Sequence, residues 1–192
     1  MAHEVHRFAQ VDVVAIGNGA FSGCVTLLHA DLGSVDTVGA KAFYGCSKLR
    51  DVSMECTKSI RTKAFAMCRS LSSVGIGDSL RTVGAYAFSF CYSLGGFSAE
   101  GSKISSIGAY AFYACSGLAD VDTCNATTIG KLAFATGDPM LGIAFGSNLA
   151  SVGEDAFRDI VFSDRGTVLE HDTDSLRGLS FSYEGGALAA VH

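Results

Sequence analysis

The sequence predicts a solenoid, in which short turns of chain stack on one another around a parallel β-sheet. Three observations lead to this prediction: an Ala-Phe pair recurs regularly, the residues around each pair repeat in columns, and every repeat holds a segment of alternating apolar residues. The phenylalanines of the pairs, spaced by 22 to 24 residues, are Phe21, Phe43, Phe65, Phe88, Phe112, Phe134 and Phe157. A unit of this length is too short to bury its own apolar face, so its stability must come from stacking on its neighbours.

Further columns around the phenylalanines indicate a continuous core. A β-branched residue precedes each phenylalanine by five positions, as Val38 precedes Phe43, and alanine always lies directly before the ring. Cysteine follows by three positions in the first five copies, at Cys24, Cys46, Cys68, Cys91 and Cys115. We expect the rings to pile through the interior, because stacked aromatics bury large areas. The cysteines should form a buried ladder of small apolar groups, with thiols made inert by a raised pKa.

An alternating segment after the cysteine column predicts the strands. Residues 49–54 read LRDVSM and residues 71–76 read LSSVGI, which fit the pattern L-x-x-Φ-x-Φ, where Φ is apolar. Such alternation is typical of a strand with one buried face. A period of 20–29 residues with this pattern is characteristic of leucine-rich repeats, whose strands form one parallel sheet on the concave side. We therefore predict a leucine-rich-repeat solenoid of about seven turns, with short turns or helical segments on the convex side.

The columns also set the expected boundaries. Residues 13–157 contain the repeats and form the solenoid. Residues 1–12 are predicted to be an N-terminal cap or a degenerate half repeat, because the terminal turns of a solenoid would otherwise expose their core. Residues 158–192 lose the pattern but keep scattered apolar residues, so we expect a C-terminal cap and a tail.

The combined consensus IG-x-x-AF-x-x-C-x-x-L-x-x-V is complete in residues 38–52, VGAKAFYGCSKLRDV, and in residues 107–121, IGAYAFYACSGLADV. It resembles the BspA-like leucine-rich repeats, and the resemblance covers roughly residues 13–160. That family is found on bacterial and protozoan cell surfaces and in many intracellular eukaryotic proteins. The resemblance implies an adhesive or interaction surface without chemistry of its own.

Composition argues against several classes of function. A net charge of -5 gives no basic footprint for nucleic acid, and no apolar run approaches the length of about 20 residues that spans a bilayer. The N-terminal residues lack the apolar stretch of an export signal. Seven cysteines are an odd number without close ligand spacing, so we expect reduced thiols and no metal or other cofactor. The expected location is intracellular, in the cytoplasm, with the cell surface as the alternative.

The candidate catalytic features are weak. The acidic run at residues 170–174 lacks the glycine and the distal glutamate of a calcium loop, so a solvated turn is the better interpretation. His29 and Cys124 lie four repeats apart, which at about 4.8 Å per stacked strand is roughly 19 Å. A nucleophile and its base need hydrogen-bond contact. We therefore predict no catalytic residue and a protein that is not an enzyme.

Two surfaces are candidates for binding a partner. Outward strand positions place polar and acidic residues on the concave face, which would favour a basic peptide, unless this is simply a solvated sheet face. These residues are His29, Asp31, Asp51, Glu55, Glu100, Asp120 and Asp122. On the convex side, aromatic residues follow one another on successive turns, as interface anchors do, unless they are buried between the turns. These residues are Tyr86, Tyr110, Tyr113 and Phe90.

The expected function is a non-catalytic protein-protein interaction or scaffolding module with a protein partner of unknown identity. A structural subunit of a larger assembly is one form of that role, because the repeats occupy most of the sequence. The alternative is a cell-surface adhesion or antigen-type repeat protein.

Overall fold

A computed structural model shows a β-solenoid. The described residues are 6–7, 14–98, 101–123, 125–136, 142–145, 149–156, 162–164, 167–169, 181–184 and 187–191. Within them every regular element is a β-strand. The strands are β1 His6–Arg7, β2 Ala15–Ile16, β3 His29–Asp31, β4 Thr37–Val38, β5 Asp51–Met54, β6 Ser59–Ile60, β7 Ser73–Ile76, β8 Thr82–Val83, β9 Gly96–Ser98, β10 Ser106–Ile107, β11 Asp120–Thr123, β12 Thr128–Ile129, β13 Gly142–Phe145, β14 Ser151–Val152, β15 Phe162–Asp164, β16 Thr167–Leu169, β17 Phe181–Glu184 and β18 Ala187–Val191.

The predicted strands form a parallel row, which confirms the solenoid. Its hydrogen-bonded ladder runs in the order β1-β3-β5-β7 and, after a break, β9-β11-β13. In β5, Val52 and Met54 are buried while Asp51 and Ser53 point outward, as the alternation in the sequence predicts. We call the outward side of these strands the strand face; it corresponds to the predicted concave face.

A second parallel sheet was not predicted. Seven two-residue strands pair in the order β14-β12-β10-β8-β6-β4-β2, and each ends on the β-branched residue that precedes a phenylalanine by five positions. Val38, Ile60 and Ile107 of this column are at most 1% exposed. Serine, threonine or alanine comes before the column residue. Each dipeptide therefore contains at least one β-branched side chain, which favours a strand, and in most of them the column residue is buried. The prediction of a single sheet was therefore incomplete.

The third side of the solenoid consists of tight turns, which we call the turn face and define as residues 39–48, 61–70, 84–93 and 108–117. Backbone hydrogen bonds join each turn segment to the next. Lys41 N–H donates to the Thr62 carbonyl oxygen at 3.0 Å, and Phe43 N–H donates to that of Ala64 at 2.7 Å. The described residues form turns here and no helix, so of the two predicted forms of the convex side the turns are correct.

The phenylalanine column forms the centre of the core through six turns. From Phe21 to Phe134 successive rings stack with centroids 5.1–5.3 Å apart and planes within 10° of parallel. Ala42 and Phe43, an adjacent pair, are both completely buried. The seventh ring, Phe157, lies outside the described residues.

The cysteine column is buried beside the rings. Cys68 Sγ donates a hydrogen bond to the Phe43 carbonyl oxygen at 3.0 Å, and Cys115 Sγ donates one to the Phe88 carbonyl oxygen at 3.0 Å. Burial raises the pKa of Cys115 from an ordinary 9.0 to about 12. The pKa values of Cys68 and Cys91 are raised as well, whereas a hydrogen bond with Cys68 lowers the pKa of Cys46, so the predicted raised pKa does not extend to every cysteine of the column. The thiols also donate to the backbone, a role that their small size alone did not predict.

The predicted caps lie largely outside the described residues. His6–Arg7 pairs in parallel with β3 and so extends the first sheet at the N-terminal end. At the C-terminal end, β15 pairs with β16 and β17 with β18, both antiparallel. The boundaries at residues 12 and 157 remain predictions, as does the interpretation of residues 170–174 as a solvated turn.

Replacing a central ring should destabilise the whole stack. Phe88 is fully buried, with Phe65 and Phe112 stacked on either side. We expect Phe88→Ala to lower the free energy of unfolding by about 3–5 kcal/mol, because the cavity lies between rings that cannot collapse onto each other. Urea unfolding would measure the change. Tyr92→Ala, at a residue that is 42% exposed, is the control and should change stability by less than about 1 kcal/mol.

Thiol labelling should separate the cysteines by their position. Cys56 is exposed, whereas Cys46, Cys68, Cys91 and Cys115 are fully buried. With a thiol reagent at about pH 8, we expect Cys56 to react fast in the native protein and the four buried thiols to react only after unfolding. Mass spectrometry of the labelled peptides would locate each adduct. Fast labelling of the four buried cysteines in the folded protein would contradict the ladder.

The raised thiol pKa also predicts a loss of stability in alkali. In the unfolded chain Cys115 ionises near its ordinary pKa of 9.0, whereas in the fold it ionises near 12. The folded state therefore binds the proton more tightly, and the stability this gives is complete below pH 9 and is lost as the pH rises toward 12. The free energy of unfolding, measured in urea at several pH values between these two limits, would show the decline. Cys115→Ala should show a smaller decline between the same limits.

Candidate functional site

The acidic side chains predicted for the concave face, as far as the structure describes them, lie on the strand face in two groups. His29 Nδ1 on β3 contacts Asp51 Oδ2 on β5 at 2.5 Å. Asp31 at the end of β3 and Glu55 directly after β5 are exposed. This first group occupies two adjacent turns. The aspartate side chain at position 51 is half exposed, so the pair stands in solvent and forms no enclosed site.

The second group lies on β11, in the other segment of the sheet. Asp122 is half-buried. It pairs with Ser98 on β9 and with Ala144 on β13. The backbone of Asp120 lies in the same strand, whereas Glu100 lies outside the described residues. Between β5 and β11 the outward positions of β7 and β9 hold serine and glycine, over three strand spacings of about 14 Å in total. The acids therefore do not converge.

The aromatic residues predicted for the convex side do converge. Tyr86 stacks on Tyr110 with centroids 4.6 Å apart and planes within 2°. Tyr113 meets Tyr110 edge to face at 5.6 Å and meets Phe90 at 5.6 Å in the same manner, and Phe90 contacts Tyr92 at 6.2 Å. We call these five residues the aromatic cluster. It covers the turn face on the fourth and fifth turns, and its rings are half-buried or exposed.

Three residues of the cluster adopt a backbone conformation that disfavours large side chains. The φ angles are 57° at Tyr86, 62° at Phe90 and 58° at Tyr110. Glycine holds the equivalent positions at Gly19 and Gly45, with φ angles of 67° and 71°. A residue with a Cβ loses about 1–2 kcal/mol in this left-handed region relative to its usual conformations. The fold therefore accepts glycine at these positions, and the aromatic side chains are not needed for the turn.

The residues with a left-handed backbone take part in the hydrogen bonds between turns. The N–H group of Tyr86 donates to the Ala109 carbonyl oxygen at 2.9 Å, and that of Phe90 donates to Tyr113 at 2.9 Å. Both donors point along the solenoid axis toward the next turn. The backbone geometry is thus fixed by the ladder, and it holds the side chains at these positions outward.

Basic residues border the aromatic cluster, and in the sequence Lys41 and Lys63 already share a repeat column with Tyr86 and Tyr110. Lys63 Nζ lies 5.1 Å from the centroid of the Tyr86 ring, within the range of a cation–π contact. On the neighbouring turns Tyr44 Oη donates to Met67 Sδ at 3.2 Å, which extends the row of large side chains. The signal that could have revealed Met67 is its repeat position, where Gly23 and Gly45 occur in the first two turns.

Among the described residues, no group of three or more histidine, cysteine, aspartate or glutamate side chains could hold a metal ion. The described part of the chain also contains no helix with the length and apolar character required to cross a membrane.

Residues 8–93 and 36–161 match the BspA type leucine rich repeat region, in six copies. The chain belongs to the BspA-type leucine-rich-repeat family. This is a non-enzymatic kind of fold. A search of curated proteins found no significant match to this BspA-type repeat protein.

Two solved structures are similar to this BspA-type chain. A leucine-rich repeat protein of T. pallidum shares 30% sequence identity, with a TM-score of 0.70 over 80% of this chain and 72% of that one. A leucine-rich repeat protein from Bacteroides ovatus shares 25% identity, with a TM-score of 0.59 over 77% of this chain and 45% of that one.

The backbone at Tyr86 predicts an unusual order of stability. We expect Tyr86→Gly to be more stable than Tyr86→Ala by about 1 kcal/mol, because both lose the ring but alanine keeps the strain of a positive φ. Thermal or urea unfolding would measure both. At the exposed Tyr92, where φ is not positive, the order should be the usual one, with glycine less stable than alanine. The same order at both positions would contradict the assigned strain.

Proposed function

We propose that this protein is a non-catalytic interaction module that binds a protein partner through the aromatic cluster of its turn face. The observation that carries the proposal is the set of five mutually contacting rings on two adjacent turns, three of which occupy positions where glycine would serve the fold. The same positive φ occurs at Lys41, Lys63 and Met67 of the earlier turns, so the feature that distinguishes these two turns is the size of their rings and the contacts between them.

Tyrosine at such positions suits an interface. Its ring supplies a large, rigid contact area at little cost in conformational entropy, and its hydroxyl group bonds to water or to a partner. In the cluster each ring is held by its neighbours, as Tyr110 is held by Tyr86 and Tyr113. The surface is therefore ordered before a partner arrives, which reduces the entropy lost on binding.

The strand face is the weaker candidate. Its acidic groups are separated by serine and glycine, and the Asp51 carboxylate already has a hydrogen-bond partner in His29. Exposed ion pairs of this kind contribute little free energy, about 0–1 kcal/mol. Within the proposal, this face is solvated.

The proposal includes a role inside the cell as a subunit of a larger assembly. The buried cysteine ladder supports the location inside the cell, because Cys68 and Cys115 donate through their thiol hydrogens and so act in the reduced form. Imaging of the tagged protein tests this part. A signal confined to the cell surface would support the adhesion alternative instead.

Affinity capture with two matched variants tests the binding face. We expect Tyr86→Gly/Tyr110→Gly to lose the partners that the wild-type protein retains, because the stacked anchor is removed while the turn backbone is preserved. Asp51→Asn/Glu55→Gln, which alters the strand face, should retain them. Quantitative mass spectrometry would compare the captured proteins. Retention by the tyrosine variant together with loss by the strand-face variant would overturn the assignment.

A further inference from the structure

We propose that the segment bound by the turn face is an acidic polypeptide that also carries apolar side chains. This inference rests on the proposed function and adds the chemistry of the partner. It follows from the distribution of charge, the absence of ion pairs on this face and the arrangement of the rings.

The turn face carries one sign of charge. Its four segments contain five basic residues and no aspartate or glutamate, although the whole chain has a net charge of -5. The basic residues are Lys41, Lys48, Arg61, Lys63 and Arg69. Acidic residues of the same turns, such as Asp51, Glu55 and Asp78, lie on or beside the strands of the first sheet. Turns two and three are thus basic on the turn face, whereas Glu154 and Asp155 lie at the equivalent positions of the seventh repeat, beyond the aromatic cluster.

The five cations are not neutralised within the described part of the chain. The close side-chain pairs found there join His29 to Asp51, Lys58 to Asp36 and Lys131 to Glu154, and none involves these five cations. Four of the five cations are exposed, and Lys63 is half-buried over the Tyr86 ring. The positive potential of these cations is therefore available to an anionic partner. It would favour a partner of negative potential and speed its association.

Cations and rings form one column along the solenoid axis. Lys41, Lys63, Tyr86 and Tyr110 occupy the same repeat position on four successive turns. Three spacings of about 4.8 Å make this column roughly 14 Å long, the length of four or five extended residues. A segment lying along it would place carboxylates over the second and third turns and apolar side chains over the fourth and fifth.

The packing of the rings favours a peptide over a nucleic acid. Binding of single-stranded nucleic acid relies on bases stacking on open aromatic faces. The Tyr86 ring has Lys63 from the preceding turn over it and Tyr110 from the following turn stacked on it. The stack therefore offers mainly ring edges, which pack against aliphatic and aromatic side chains.

Fluorescence polarisation with synthetic peptides tests the proposal. The probe is a labelled ten-residue peptide in which five acidic residues are followed by five apolar residues, phenylalanine and leucine. One comparison peptide replaces the acidic residues with lysine. Another replaces the apolar residues with serine. We expect the wild-type protein to bind the probe at least about tenfold more tightly than either peptide, and added salt to weaken binding. A labelled single-stranded oligonucleotide is the comparison for another class of polyanion.

Charge reversal on the turn face provides the decisive comparison. Lys41→Glu/Lys63→Glu should weaken binding of the probe by about tenfold or more, because like charges then face the carboxylates. Arg81→Glu/Lys103→Glu makes the same change in charge at exposed residues outside the turn face, and should change binding by less than about threefold. Thermal unfolding of each variant would verify the fold.

The outcomes separate this inference from the proposed function. If Tyr86→Gly/Tyr110→Gly loses the probe while charge reversal and salt have no effect, the aromatic anchor is retained and the acidic preference is wrong. If charge reversal abolishes binding while the tyrosine variant binds normally, the acidic preference stands and the aromatic anchor fails. Tighter binding of the oligonucleotide, or of the lysine peptide, would overturn the inference, as would an absence of binding to every probe.

Discussion

The stacking of each turn on the next, at a spacing fixed by parallel backbone hydrogen bonds, is the constraint on which the rest of this structure depends. Three ladders run along the solenoid: the strand row, the sheet of dipeptides and the turn segments, where Phe43 N–H bonds to Ala64. Together they hold successive rings 5.1–5.3 Å apart, a distance that suits stacked aromatics. A repeat that buries little by itself thereby gains a core shared with its neighbours.

The same constraint creates the candidate binding surface. Tyr86, Phe90 and Tyr110 adopt a positive φ within a turn segment that is hydrogen-bonded to the next turn. Glycine at the same positions in earlier turns leaves a bare backbone, whereas the aromatic residues form a cluster with ordered edges. The ladder therefore acts as a regular frame, and the residues placed on it decide what each turn presents to solvent.

Charge follows the same frame, with acids on the strand face and unpaired cations on the turn face of turns two and three. This separation lies across the solenoid, and the linear distribution of charge in the sequence does not show it. The sequence indicated two candidate surfaces, an acidic one for a basic partner and an aromatic one. In the described part of the chain the acids lie in two groups on the strand face, whereas the aromatic side chains contact one another and lysine. The turn face is consequently the better ordered of the two surfaces.

The sequence by itself determined the solenoid, its period and its core, because the Ala-Phe and cysteine columns recur in register and a repeated unit must bury them by stacking. It also identified Tyr86, Tyr110, Tyr113 and Phe90 as neighbours, since equal repeat positions lie side by side on adjacent turns. Only the tertiary structure decided that the dipeptides ending in Val38 or Ile60 pair as a second sheet, and that the tyrosines of the turn face have a left-handed backbone. The physical reason is that both features arise from hydrogen bonds between turns, whose direction is set by the path of the backbone and not by the identity of the side chain.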